Sequence, residues 1–216
     1  MFAAHPLVYV PLEETGAFLI PHKIAIRWSA VLRSGENSGK PYLVEKTPRH
    51  IRCLNAIRNH VPSAKVVMMV RDGLDVVASL LKRHGNIEIG VDRWIKDNEI
   101  VACEQNAQDT FLLRYEDLIS SPQEELKRCC DFIGIPYDPV MLCYHDTKRL
   151  WFGETEIREG SGKNGSEHKA LRNWQINQPL FDGRGRWRHL LSSEQVEAVR
   201  CGAMSPLAAR LGYSWD

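Results

Sequence analysis

The sequence predicts an α/β fold built from parallel βαβ units. Short apolar runs with few polar residues alternate with stretches of helical periodicity. Lys65–Val70 and Thr110–Leu113 are the clearest of these runs, and Leu7–Val10 and Tyr42–Val44 are shorter ones. The intervening segments carry helix punctuation.

Taken in order, helical stretches are expected at about His50–His60, Asp75–His84 and Val91–Asn106. In "SSPQEELKRCCDFIGIP", Ser121 is a fit N-cap, Pro122 takes the first helical position and Glu124 completes a capping box. Gly134 and Pro136 stop that helix. A further helix is expected near Asp138–His145. Residues 148–185 have weak periodicity and read as a long loop or lid, with a short helix near His168–Gln175. The end reads as a capped helix, a break at Gly202 and a short helix opened by Ser205 and Pro206. No linker stands out, so one domain over 1–216 is expected.

Composition narrows the function classes. Of 216 residues, 44% are hydrophobic and 25% charged, which is ordinary for a globular protein with a real core. Net charge is +1, so no general basic field attracts nucleic acid or anionic membranes. Any anion site must be local. No apolar run approaches the ~18 residues of a membrane span. The opening "MFAAHPLVYVPLEET" lacks the basic start of a signal peptide. Six cysteines show no C-x-x-C pair and no Cys/His zinc pattern, so no metal is expected. They read as reduced structural thiols of a reducing, cytoplasmic compartment. A Golgi lumen is the alternative if an N-terminal anchor is missing.

Local chemistry concentrates at predicted strand ends. In "KVVMMVRDGLDVVAS" an apolar run ends on Arg71, and a helix resumes toward Ser79. Ligands of open α/β sheets sit beyond the carboxyl ends of strands. Guanidinium, helix N-terminus and hydroxyl together could hold a phosphate. An Arg71 pair with Asp72 or Asp75, with Ser79 a packing residue, is the plainer alternative. "VEKTPRHI" places Lys46 at another strand end, "LRYEDLISSP" places Tyr115, and "GRWRHLLSSEQ" places Arg186 and Trp187 ahead of the last helices. Singly, Lys46 can be solvated, Tyr115 can be core and Trp187 can anchor a loop.

Together, "HPLVYVPLEET", "VEKTPRH", "PSAKVVMMVRDGLDVVAS", "LRYEDLISSPQEELKRCCDFIGIPYD", "GRWR" and "LAARLGY" stand in an order that resembles PAPS-dependent sulfotransferases. Their flavour is similar to the bacterial-type and the Golgi carbohydrate or tyrosylprotein branches. The resemblance implies a P-loop-NTPase-like parallel sheet flanked by helices. It implies 3′-phosphoadenosine 5′-phosphosulfate (PAPS) as co-substrate and an acceptor bearing a hydroxyl or amine: carbohydrate, protein tyrosine or small molecule. By the same resemblance, Arg71 and Ser79 match the pair on the donor's 3′-phosphate. Tyr115 matches a residue beside the adenine, and Arg186 with Trp187 a loop closing over the nucleotide. Lys46 matches a lysine near the sulfuryl group, and Glu14 the general base. Glu14 can also be a helix N-terminal carboxylate, and Glu13 is its neighbour.

The family's 5′-phosphosulfate loop, roughly R-S-G-T-[ST], lies in relatives just upstream of the "HP" that is His5–Pro6 here. "RSGENSGKP" and "EGSGKNGSEHK" are poor substitutes, because neither follows a clear strand. The expectation is an N-terminally truncated sulfotransferase lacking that loop and the first strand. A non-catalytic remnant binding adenosine 3′,5′-bisphosphate or a partner is the alternative. Without G-x-x-x-x-G-K-[ST], a small-molecule kinase is disfavoured.

Overall fold

The structure is a computed structural model describing residues 1–150, 157–159 and 165–215. The chain divides into two compact units, Met1–Ala64 with Pro136–Leu180 and Lys65–Ile135 with Phe181–Asp216. The sequence predicted one sheet. The described residues instead form two parallel two-stranded sheets, one in each unit. Apolar runs identify strands but not their partners, and two of these strands are only two residues long.

In the first unit, β1 (Val8–Tyr9) pairs with β2 (Tyr42–Leu43), Val8 opposite Tyr42. Between them runs α1 (Ile24–Asn37), a helix the sequence reading did not place. Its apolar face is hard to see because Ile26 is 75% exposed while Ile24, Val31 and Gly35 are buried. Ile24 and Val31 pack with Ala17 and Phe18 against Trp28, Leu43 and Ile57. Gly35 permits a close crossing, since a Cβ there would lie 2.7 Å from Leu43 Cδ1. After β2, a 3₁₀ stretch Pro48–Cys53 runs into α2 (Leu54–His60), so the expected helix is only partly α-helical. The helix expected at 138–145 is a single 3₁₀ turn, Pro139–Met141, capped by the Asp138 carboxylate on the Val140 N–H. The helix expected at 168–175 runs from Gly165 to Ile176. The rest of the expected lid falls partly outside the described residues.

In the second unit, β3 (Val66–Val70) pairs with β4 (Thr110–Arg114), Val66 opposite Thr110 and Val70 opposite Arg114. The crossover consists of α3 (Gly73–His84) and α4 (Ile87–Glu104). Gly90 lets them approach, because a Cβ there would lie 3.1 Å from Val77 Cα. α5 (Tyr115–Ser120) starts directly at the end of β4, and α6 (Pro122–Ile133) follows. Gly134 ends α6 at φ 81°, as expected of a left-handed C-cap. The predicted capping box at Ser121 is absent: its side chain makes no cap bond. Ser121 also closes α5 by donating its N–H to the Asp117 carbonyl, and that joint sets its backbone. A true capping box sits at Ser192 and Gln195, opening the helix Ser193–Arg200. The last helix, Met204–Arg210, begins just before the Ser205–Pro206 signal.

None of the six cysteines forms a disulfide. Burial pushes the Cys129 thiol up to about 12 and the Cys130 thiol to about 11, which makes both poor nucleophiles. Cys103, Cys143 and Cys201 are exposed. No helix of the described residues is long and apolar enough to cross a membrane.

Candidate functional site

The predicted site residues form two clusters, one in each unit. In the first, Lys46 donates to Glu14 Oε1 at 2.9 Å. Lys46 follows β2, as its strand-end position implied. Glu14 sits in a loop after β1, so the alternative of a helix N-terminal carboxylate does not hold. Glu13 is exposed, whereas Glu14 is half-buried.

Beside Lys46 stands a nearly buried carboxylate, Glu45, which the sequence reading placed at a strand end without a role. Its Oε1 accepts from Thr15 Oγ1 at 2.8 Å, Thr47 Oγ1 at 2.6 Å and the Thr15 N–H at 3.3 Å. Its Oε2 faces His50 Nδ1 at 2.8 Å. The Phe18 N–H donates to His50 Nε2 at 3.2 Å, which places the ring proton on Nδ1, toward Glu45. The Gly16 N–H donates to Thr47 Oγ1 at 3.1 Å. Burial raises the Glu45 pKa, but the bonds from His50, Thr47 and Thr15 outweigh it and hold the carboxyl below its ordinary range. The stability it adds is therefore present above its unfolded pKa and lost as pH falls through its folded one.

In the second unit, Arg71 and Asp72 join β3 to α3. The Arg71 guanidinium stacks on the Tyr115 ring, 4.6 Å from its centroid, and Nη2 donates to the Gly183 carbonyl. The Tyr115 hydroxyl donates to the Phe181 carbonyl and accepts from the Gly183 N–H at 3.0 Å. Arg71 and Tyr115 are thus brought together, with residues 181–183 laid against both. Arg71 Nε is buried and has no hydrogen-bond partner among the described residues. A planar donor fork with a spare buried N–H suits a multidentate oxyanion such as phosphate. Ser79 stands exposed on α3, and among the described residues no hydrogen bond joins it to Arg71.

The N-terminus of α3 is already supplied with carboxylates. Asp72 accepts from the Asp75 N–H at 3.2 Å and from Trp215 Nε1 at 3.0 Å. Burial raises its pKa, with Asp75 adding to the rise and the Trp215 bond opposing it. Asp75 is only 3% exposed and lies 3.8 Å from Arg71, so the plainer pairing read from the sequence is present too. Asp75 also accepts from the backbone N–H groups of Gly185, at 2.8 Å, and Trp187, at 3.1 Å. It therefore ties the "GRW" turn to α3. Arg186 is exposed, its guanidinium 5.5 Å from the Phe181 ring. Trp187 is half-buried between Arg188 and Arg200, consistent with a loop anchor.

Asp75→Ala leaves two N–H groups and Arg71 without their carboxylate. We expect a loss of about 3 kcal/mol in chemical denaturation, with amide-exchange protection lost first at Gly185 and Trp187.

Sequence reasoning also missed the closing residues. Tyr213 donates to Glu116 Oε2 at 2.8 Å, while Glu116 Oε1 accepts from the Asp72 N–H at 2.9 Å. Burial, reinforced by Glu116, pushes the Tyr213 phenol far up. Trp94 donates to the Arg71 carbonyl at 3.1 Å. The Arg71 turn is thus held from several elements. A Cβ on Gly73 would lie 2.6 Å from Met204 Cε and 2.9 Å from Trp215 Cζ2, so a larger residue there would force these side chains to move. The signal available in the sequence was the glycine itself, placed directly after a cap residue.

The chain is similar to several known proteins. The chain is 28% identical over 192 residues to protein-tyrosine sulfotransferase A of Caenorhabditis elegans, covering 83% of this chain and 47% of that one. It is 24% identical over 196 residues to protein-tyrosine sulfotransferase 1 of Danio rerio, covering 85% and 51%. The chain therefore spans about half the length of these curated relatives. Among solved structures, the sulfotransferase domain from the curacin biosynthetic pathway matches with TM-score 0.60 and 17% identity, over 94% of this chain and 79% of that one. Mouse sulfotransferase SULT7A1 complexed with PAP matches with TM-score 0.55 and 11% identity, over 98% and 77%. At those identities the structures show a shared fold. A family model described as "Sulfotransferase family" matches residues 3–139, and one described as "Sulfotransferase domain" matches residues 90–200. With the first match spanning well over half of its length, the chain belongs to the sulfotransferase family.

Proposed function

We propose that this chain transfers a sulfuryl group from PAPS to a hydroxyl or amine acceptor. The observation that carries the reading is the 2.9 Å pair of Glu14 and Lys46, a carboxylate and an ammonium held side by side. PAPS, when bound, supplies the sulfuryl group: the acceptor's bond to sulfur forms as the sulfur–oxygen bond to the 5′-phosphate breaks, and adenosine 3′,5′-bisphosphate leaves with that electron pair. Such transfers depend on positioning and charge stabilisation, with little covalent work for the protein. Glu14 takes the proton from the acceptor as its oxygen or nitrogen attacks. Lys46 offsets the charge that grows on the sulfuryl oxygens. In the second unit, Arg71 holds the donor's 3′-phosphate, exchanging the Gly183 carbonyl for a phosphate oxygen. The exposed hydroxyl of Ser79 assists it, Tyr115 lies beside the adenine, and Arg186 and Trp187 form the loop against the nucleotide.

Radiolabelled sulfate transfer from PAPS to a panel of acceptors tests this reading. A tyrosine peptide belongs on the panel because of the relatives' names, beside a carbohydrate, a phenol and an amine. Label is expected on at least one acceptor. No transfer, with adenosine 3′,5′-bisphosphate still bound in calorimetry, would replace the transferase with a nucleotide-binding chain.

A further inference from the structure

The pair Glu14–Lys46 has no rigid element of its own. Glu14 lies in a loop, and Lys46 lies three residues beyond the short strand β2. Both side chains are partly solvent-exposed, Lys46 at 53% and Glu14 at 32%. An exposed ion pair of this kind contributes little orientation by itself. Something else must hold the two segments in register.

Three bonds between the segments do so, two ending on Glu45 and one on Thr47, which is itself bonded to Glu45. Residues 15 and 16, directly after Glu14, are joined to residues 45 and 47, on either side of Lys46, through Glu45 Oε1 and Thr47 Oγ1. Thr47 in turn donates to Glu45. His50 extends the stitch to Phe18. The side chains of Glu45 and His50 are 10% and 8% exposed, so water competes weakly for these bonds. Every partner of the Glu45 carboxylate in this cluster is a donor. Only an ionised carboxylate satisfies all of them, because an amide nitrogen cannot accept.

We infer that Glu45, with Thr47 and His50, is the positioning residue that sets the geometry of Glu14 against Lys46. Glu45 acts through the loop it holds, not on the reacting atoms. This inference rests on the reading of Glu14 as the base, and it deepens that reading by naming what aims it.

The test compares the wild type with Glu45→Gln, Thr47→Val, Thr47→Ser, Glu14→Gln and the double variant Glu14→Gln/Glu45→Gln. Two quantities are read: the Glu14–Lys46 separation in crystal structures, and kcat with the donor KM in the sulfate-transfer assay. Glu45→Gln turns an amide toward donors, and Thr47→Val removes the shared hydroxyl. Both are expected to separate Glu14 from Lys46 beyond the about 4 Å of an ion pair. In both, kcat is expected to fall about tenfold or more through misplacement, with donor KM unchanged. Thr47→Ser keeps the hydroxyl and is expected to keep kcat. In the double variant, the Glu45 change should add nothing to the loss from Glu14→Gln, since it acts through that residue. A mere loss of folding stability would not produce this non-additivity.

An intact Glu14–Lys46 contact in a folded Glu45→Gln or Thr47→Val variant overturns the inference. So do losses that multiply in the double variant. Unchanged kcat in Glu14→Gln removes the base reading, and the crystal separations still decide whether Glu45 sets the pair. If Glu45→Gln does not fold, Thr47→Val carries the same comparison.

Discussion

Glu14→Gln is expected to lower kcat for sulfate transfer by about 10²–10⁴-fold, the usual contribution of a positioned general base. The amide keeps the volume of the side chain and can still meet Lys46 through its oxygen. It cannot take a proton. The binding of adenosine 3′,5′-bisphosphate, measured by calorimetry, should not change, because the donor residues proposed here lie in the other unit. Glu13→Gln is the control, and its exposed side chain predicts a kcat near wild type. Equal losses from both changes would point to the local charge of the segment instead of one proton acceptor.

Arg71→Ala is expected to weaken bisphosphate binding by about 10–150-fold, the equivalent of one hydrogen bond to a charged group at about 1.5–3 kcal/mol. The same calorimetry reads it. The loss should shrink as salt rises, since the guanidinium is 29% exposed and part of the attraction is screened. The substitution also removes the stack on Tyr115 and the bond to Gly183, so thermal unfolding must accompany the titration. Arg71→Lys separates the contributions: it keeps a charge but loses the planar fork. Recovery of only part of the affinity is expected. Unchanged affinity in Arg71→Ala would remove this residue from the donor site.

Much of this was legible in the sequence because it depends on local pattern. The four strands follow from apolar runs and fall within a residue or two of expectation. Arg71 and Lys46 follow from charge placed where an apolar run stops. The Gly134 cap follows from the one residue that tolerates a left-handed backbone cheaply. What the sequence concealed was pairing across distance. Nothing near Glu45 announces that its carboxylate will meet Thr15, and nothing near Asp72 announces Trp215. The helix α1 was hidden for another reason. It buries only a narrow stripe, so its sequence reads as polar with scattered apolar residues. Ser121 shows the reverse error, in which a strong local cap signal yielded to the joint between two helices.

The hydrogen bond from Trp215 to Asp72 has a consequence for biosynthesis. Its two partners are 143 positions apart, and the bond from Tyr213 to Glu116 spans 97. A chain leaving the ribosome can bond the Arg71 turn to Trp94 and Glu116 early, but the bonds from Trp215 and Tyr213 wait until those residues have emerged. Contacts of such long sequence separation form late and slowly. During that interval, Gly73 lacks the packing from Met204 and Trp215 that covers it in the finished fold. Until then the Arg71 turn lacks two of the contacts that hold it in the finished fold, and its geometry is completed only when these distant residues dock.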